Sequence, residues 1–257
     1  MIVMEEKVLE ELKDAWNEHM RTGETVKKTI RGINVNISIK DFPKLESPFV
    51  REYKTIEGEE EYVLTPEVQE GYGWVFEDEG VIATEKLNGS NVCIVVEDHE
   101  IMDVFNRQNR IEPIHENKWN FCVVEGLHTS LKRGYVDLDE LEDGLYYGEL
   151  VGPNMGSREE TNPYDMEKHV WLPFETYCKE KLRFNSWGKY PKTFESIKRW
   201  FKDGLIPLFY SKWHGLTYAE AEGEGYVEGI VFHHPDGRKA KLRYDMFEEF
   251  LSGEWSV

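Results

Sequence analysis

Apolar and polar positions change period several times along the chain, and each period predicts an element. In residues 4 to 20, Val8, Leu9, Leu12 and Trp16 recur at helical spacing among acids, which predicts one amphipathic helix. Ile33, Val35, Ile37 and Ile39 then alternate with polar residues, the period of a strand. Residues 41 to 51 carry two prolines and read as an irregular, extended connection, and residues 57 to 61 as an acidic loop. From about residue 72 short β-rich runs dominate: 73 to 76, 80 to 84, 92 to 96 and 101 to 105, separated by charged or glycine turns. Residues 116 to 132 read as helical or mixed, and 145 to 151 as a strand. Residues 170 to 174 predict a further strand, which Pro173 confines to an edge or an end. Thr193 is placed to cap a helix over residues 193 to 203 with Phe194, Ile197, Trp200 and Phe201 inward. Residues 229 to 233 and 239 to 243 flank Pro235-Asp236-Gly237, a hairpin turn signal.

Strands in this order with interspersed helices predict an α+β fold of antiparallel sheets flanked by helices. The chain divides at residue 70: residues 1–70 form an N-terminal elaboration (helix, strand, extended connection) and residues 71–257 the main domain. With 40% hydrophobic residues in 257, a sizeable core can be filled, which excludes wholesale disorder. No apolar run reaches the roughly 18 residues of a membrane span, so no membrane partner is expected. The N-terminus is acidic from Glu5 and lacks the pattern of a signal peptide. Cys93, Cys122 and Cys178 are odd in number and widely spaced, which suits neither a disulfide framework nor a zinc site. A reducing cytoplasmic location is expected.

The net charge of −19, from 31 basic against 50 acidic residues, argues against a protein that coats duplex nucleic acid. It leaves room for an enzyme whose cations converge on one cleft. The first eighty residues hold nineteen acids against ten bases, so much of the excess lies away from the later segments.

Those later segments carry the chemistry. In Thr84-Glu85-Lys86-Leu87-Asn88-Gly89-Ser90-Asn91 a lysine ends a β-rich run, and a small polar turn leads at once into the next strand. Two readings stand: a hairpin with an exposed lysine, or a covalent nucleophile beside a glycine that lets a ligand approach the backbone. Glu149 ends an aromatic strand in Tyr146-Tyr147-Gly148-Glu149-Leu150, and Glu228 precedes the apolar Gly229-Ile230-Val231-Phe232. Lys239 and Lys241 share one face of their strand by period-2 geometry. Two cations beside a strand that carries a carboxylate suit a triphosphate with its metal.

Lys86-Leu87-Asn88-Gly89 resembles the nucleophile motif of the covalent nucleotidyltransferases, the superfamily of ATP-dependent ligases and mRNA capping enzymes. The wider Glu-Lys-Leu-Asn-Gly-Ser-Asn is similar to the version in RNA ligases of the T4 RNA ligase 2 type. Phe105-Asn106-Arg107, Tyr147-Gly148-Glu149-Leu150, Glu228-Gly229-Ile230-Val231 and Lys239-Ala240-Lys241 resemble the following four motifs, in the family's order. Two features depart from the superfamily's common pattern. Asn88 stands where DNA ligases and capping enzymes place an acid, which favours RNA as substrate. Only sixteen residues follow Lys241, so no C-terminal OB-fold is expected.

The resemblance implies a nucleotidyltransferase (ATP-grasp-like ligase) domain and an ATP-dependent ligase that joins RNA 5′-phosphate and 3′-OH ends through a lysyl-AMP and an adenylated 5′ end. It implies ATP and Mg²⁺, or Mn²⁺, as cofactors. Lys86 is then the nucleophile, Lys239 and Lys241 contact the α-phosphate, Glu228 holds the metal, and Glu149 binds the ribose. Arg107 orients the ribose or the acceptor strand, Asn91 serves the later steps, and Glu85 and Leu87 line the base pocket. Either Trp171 or Phe174 stacks on adenine, with Phe174 preferred because Phe174-Glu175 resembles the family's Phe-Asp. A small ATP-dependent DNA ligase and a catalytically inactive end-binding module are the alternatives.

Overall fold

The computed structural model describes residues 44–106, 109–111, 118–153, 155, 168–181, 190–205 and 228–255, together with the backbone of two N-terminal strands. Those strands, β1 (Val26–Ile30) and β2 (Ile33–Ile37), pair antiparallel, in keeping with the alternation at Ile33 to Ile37. The helix expected over residues 4 to 20 lies outside the described residues.

Two sheets frame the molecule. The first is three-stranded, in the order β12-β11-β5, from β5 (Ile82–Lys86), β11 (Gly229–His233) and β12 (Lys239–Arg243). The second has five strands in the order β10-β9-β6-β7-β8, from β6 (Ser90–Glu97), β7 (Glu100–Asn106), β8 (Asn109–Arg110), β9 (Gly144–Val151) and β10 (Val170–Pro173). Every pairing is antiparallel. The described chain is therefore the expected α+β type. Pro173 ends β10, an edge strand, where its missing N–H breaks no ladder. Residues 87 to 89 carry the chain from the first sheet directly into the second.

Each sheet buries one face in a core. Val92, Ile94 and Val96, alternate residues of β6, pack with Cys122, Val123 and Leu127 of helix α2 (Lys118–Lys132) and with Leu150 and Trp171. Gly126 permits this approach, because a Cβ there would meet Leu150 Cδ1 at 2.3 Å. Beneath the three-stranded sheet, Ile230, Phe232 and Leu242 pack with Phe201, Tyr244, Phe247 and Trp255. Ile197 of helix α3 (Phe194–Trp200) joins them, and Thr193 caps that helix as expected, in a reciprocal pair with Ser196.

Two local expectations are corrected. Residues 73 to 76 are not a strand: Trp74–Glu77 forms the one-turn helix α1. Trp74 and Val75 are both buried, and the Asp78 N–H donates to the Trp74 carbonyl, which closes a helical turn. Tyr190 Oη and Lys192 Nζ donate to the Val75 carbonyl and close the turn. Residues 49 to 68 are a hairpin of β3 (Phe49–Ile56) and β4 (Glu59–Val68), with a register shift between Phe49 and Arg51, in place of the end of the expected connection and of the acidic loop. Glu57 and Gly58, both at positive φ, make its tight turn. Phe49 and Leu64 pack in the core under the three-stranded sheet. Among the described residues no helix is long and apolar enough to cross a membrane.

Candidate active site

Register determines what faces the cleft between the sheets. Lys86 of β5 lies opposite Gly229 of β11, which lies opposite Arg243 of β12. One row further, Thr84, Val231 and Lys241 align, and beyond them Ile82, His233 and Lys239. Three cations of β12 thus follow at period 2 along one face. A Cβ on Gly229 would come within 2.0 Å of the Leu242 carbonyl oxygen, so only glycine fits between Lys86 and Arg243. Glu228, just before it, sends Oε2 to within 2.5 Å of Lys86 Nζ and Oε1 to within 3.6 Å of Arg243 Nη1. Glu228 is nearly fully buried, whereas Lys86 keeps about a fifth of its side chain exposed (21%), so the amine stays reachable from the cleft.

From the second sheet, Asn91 of β6 lies opposite Glu149 of β9. The Asn91 Oδ1 is buried and has no hydrogen-bond partner among the described residues. The turn between the sheets leaves no room for a side chain at Gly89, where a Cβ would lie 2.2 Å from the Leu150 carbonyl oxygen. The cavity enclosed between the sheets measures about 570 Å³, a fitting size for a nucleotide.

Glu85, Lys86, Leu87, Asn91, Glu149, Phe174, Glu228, Lys239 and Lys241, all singled out from sequence, line this one cavity. Arg107 lies outside the described residues, although its neighbour Asn106 lines the cavity. The two aromatic candidates separate. Phe174 faces the cavity beside Leu87 and Cys178, while Trp171 is 1% exposed under helix α2, its indole N–H donating to the Val92 carbonyl at 3.0 Å.

Lys44, Glu175 and Arg243 are not expected at the site from sequence, and His233, beside His234, reads there as a hairpin strand end with no third metal ligand. Arg243 continues the alternation of Lys239 and Lys241, a signal present in the sequence. His233 lines the cavity and pairs with the Thr84 hydroxyl at 3.0 Å. Glu175 accepts from Lys239 at 2.5 Å and from Lys179 at 3.0 Å. Burial pushes the Glu175 carboxyl up, but these two ammonium groups outweigh it and hold it down at about 2. Lys241 is lowered from its ordinary value, by burial first and then by the neighbouring Lys86, Arg243 and Lys44. The cavity is thus a cationic trough with carboxylates at its edges, suited to a polyphosphate.

Among the described residues no three His, Cys, Asp or Glu side chains stand close enough to hold a metal by themselves. Mg²⁺ commonly uses one or two carboxylates and completes its shell with water and substrate phosphates, so the Glu228 carboxylate in the cavity lining fits such an ion.

The model of a family described as RNA ligase matches residues 79–247, more than half the chain. Comparison with curated proteins returns no match. Among solved structures, an RNA ligase variant of Naegleria gruberi with ATP and Mn is 15% identical, with a TM-score of 0.36 over 84% of this chain and 73% of that one. The same ligase with PPi is 17% identical, with a TM-score of 0.36 over 86% and 74%. A candidate ATP-dependent DNA ligase from Aquifex aeolicus is 16% identical, with a TM-score of 0.40 over 91% of this chain and 63% of its own length. On the family match, which spans the cleft from β5 to β12, the chain belongs to the RNA ligase family.

Proposed function

We propose that this ligase joins a 5′-phosphate to a 3′-OH on RNA in three steps, with Lys86 as nucleophile. In the first, the free amine of Lys86 attacks the α-phosphorus of ATP. The nitrogen–phosphorus bond forms as the bond to the bridging oxygen breaks, pyrophosphate departs with the electron pair, and Lys86 gives up a proton. Lys239 and Lys241 offset the charge that grows on the phosphate oxygens. Phe174 and Leu87 sandwich the adenine above the backbone of Glu85, Glu149 holds the ribose hydroxyls, and Arg107 orients the ribose or the acceptor strand. In the second step the 5′-phosphate oxygen of RNA displaces Lys86 from the AMP phosphorus. In the third the 3′-OH attacks the terminal phosphorus, AMP leaves, and the strand is sealed. Asn91 serves these later steps. When bound at Glu228, Mg²⁺, or Mn²⁺ in its place, supplies positive charge to the phosphates.

The observation that carries this reading is the convergence of Lys86, Glu228, Lys239 and Lys241 from three adjacent strands, with Glu149 from the facing sheet, on one cavity. Binding RNA ends alone requires no buried carboxylate beside a reachable lysine. Membership of the RNA ligase family and Asn88 in the nucleophile motif support RNA over DNA. Residues 71–257 are read as the ligase domain and 1–70 as its elaboration. Three free, buried cysteines suit a cytoplasmic setting.

The test is sealing of nicked duplexes with ATP and Mg²⁺. Faster sealing when the 3′-OH side is ribonucleotide supports the proposal. Equal rates on an all-DNA nick would reassign the protein as a DNA ligase, and no sealing of either would reduce it to an end-binding module.

A further inference from the structure

The β3–β4 hairpin carries an aromatic pair that nothing in its own sheet covers. Tyr53 of β3 lies directly opposite Tyr62 of β4, and their rings meet at 4.8 Å between centroids with a 33° tilt. Tyr53 is 72% exposed and Tyr62 41%. The Arg51 guanidinium lies over the Tyr62 ring, 4.2 Å from its centroid, and its Nη2 donates to the Tyr62 carbonyl. Strand alternation groups Arg51, Tyr53 and Thr55 with Glu60 and Tyr62 on one face, and sends Glu52, Glu59 and Glu61 to the other. Most of the acids of this acidic hairpin are thereby kept off the tyrosine face.

This face is continuous with the cleft. Arg51 lies close enough to Asp245 and Arg243 for their charges to act on its guanidinium. Arg243 pairs with Asp245, lines the cavity, and places Nη1 3.6 Å from Glu228 Oε1, whose other oxygen holds Lys86. A row of side chains thus leads from the nucleophile through Glu228, Arg243 and Arg51 to Tyr62 and Tyr53. Guanidinium groups present planar donors to phosphate oxygens, and the rings beyond them present faces on which any base can stack. We propose that Tyr53 and Tyr62 form a stacking shelf for bases of the substrate RNA, which leaves the cleft past Arg243 and Arg51. Stacking there requires bases free of a partner strand, so the RNA has unpaired nucleotides beside the end to be joined. The inference rests on the RNA-joining reading above and narrows its substrate.

The experiment titrates full-length protein into a fluorescent, 5′-phosphorylated single-stranded RNA, read by anisotropy, and labels the same proteins separately with α-labelled ATP. Tyr53→Ala combined with Tyr62→Ala is expected to weaken RNA binding about tenfold or more, the effect of lost base stacking. Labelling by ATP keeps its rate, which also shows that the variant folds. Tyr53→Phe combined with Tyr62→Phe retains the RNA affinity, since the rings remain, and a fully paired RNA duplex binds all three proteins alike. Unchanged affinity of the alanine variant for the single strand would overturn the inference and leave the pair as a brace of the hairpin. An equal loss on the duplex would overturn it too, because the tyrosines would then not select unpaired bases. Loss of single-strand binding in the alanine variant, with no label taken up by the unaltered protein, would support the shelf while removing the lysyl-AMP reading.

Discussion

Lys86 Nζ and Glu228 Oε2 lie 2.5 Å apart although 142 residues separate them in sequence, because β5 and β11 are direct neighbours in one sheet. The carboxylate is buried and holds the ammonium at the cavity floor. Replacing it by an amide keeps the shape and removes the charge. Glu228→Gln is therefore expected to slow lysyl-AMP formation by about a hundredfold or more, read in single-turnover labelling. A variant that charges at the ordinary rate would show that Glu228 has no part in the chemistry.

Phe174 and Trp171 are three residues apart, yet one faces the cavity and the other the core under α2. Phe174→Ala should weaken ATP about tenfold or more, the effect of one lost stacking partner, with little loss of stability. Trp171→Ala should instead lower the unfolding midpoint steeply, since it empties a buried site and strips the Val92 carbonyl of its donor. Isothermal ATP titration beside chemical denaturation separates the two.

Glu175 carries a pH dependence whose sign follows from its partners. Its carboxyl is depressed from the ordinary 4.5 to about 2 by Lys239 and Lys179. A group so depressed adds stability that is present above the unfolded value and lost as pH falls through the folded one. Glu175→Gln should thus cost stability at about pH 6 and progressively less towards about pH 2. More than half of the side chain is exposed, so the difference is expected to be small and to shrink in salt. Thermal melts of both proteins across that window test it.

Ser130 fastens helix α2 to β10. Its hydroxyl accepts the Trp171 backbone N–H at 2.8 Å and can donate to the Trp171 or Gly126 carbonyl. Ser130→Ala leaves the buried Trp171 N–H without an acceptor, at a cost of about 1–3 kcal/mol. Denaturant unfolding measures this directly, and an unchanged midpoint would mean that the helix shifts to compensate.

What could be read from sequence was local. The alternation through Lys239 and Lys241, and the glycine turn after Lys86, are properties of contiguous residues, and they put the reactive groups on the right strands. Lys44 and Glu175 escaped because their positions are set by packing: Lys44 reaches the cavity through the Glu46 contact with β12, and Glu175 reaches Lys239 from the turn after Pro173. The β3–β4 hairpin escaped for a different reason. Its outer positions are charged or fully wet, with Tyr53 72% exposed, so the hydrophobic alternation that marks a strand is weak there. At Trp74-Val75 the β-rich composition misled, because the segment forms a single helical turn from Trp74 to Glu77 whose place is set by packing in the core.

The central claim is that Lys86 becomes covalently adenylylated. Full-length protein incubated with α-labelled ATP and Mg²⁺, denatured and run on a gel, tests it most directly beside Lys86→Ala. The account predicts a labelled protein band that disappears in the variant and is discharged by pyrophosphate. A folded, nucleotide-free protein that takes up no label, or a variant labelled as strongly as the unaltered protein, would contradict it.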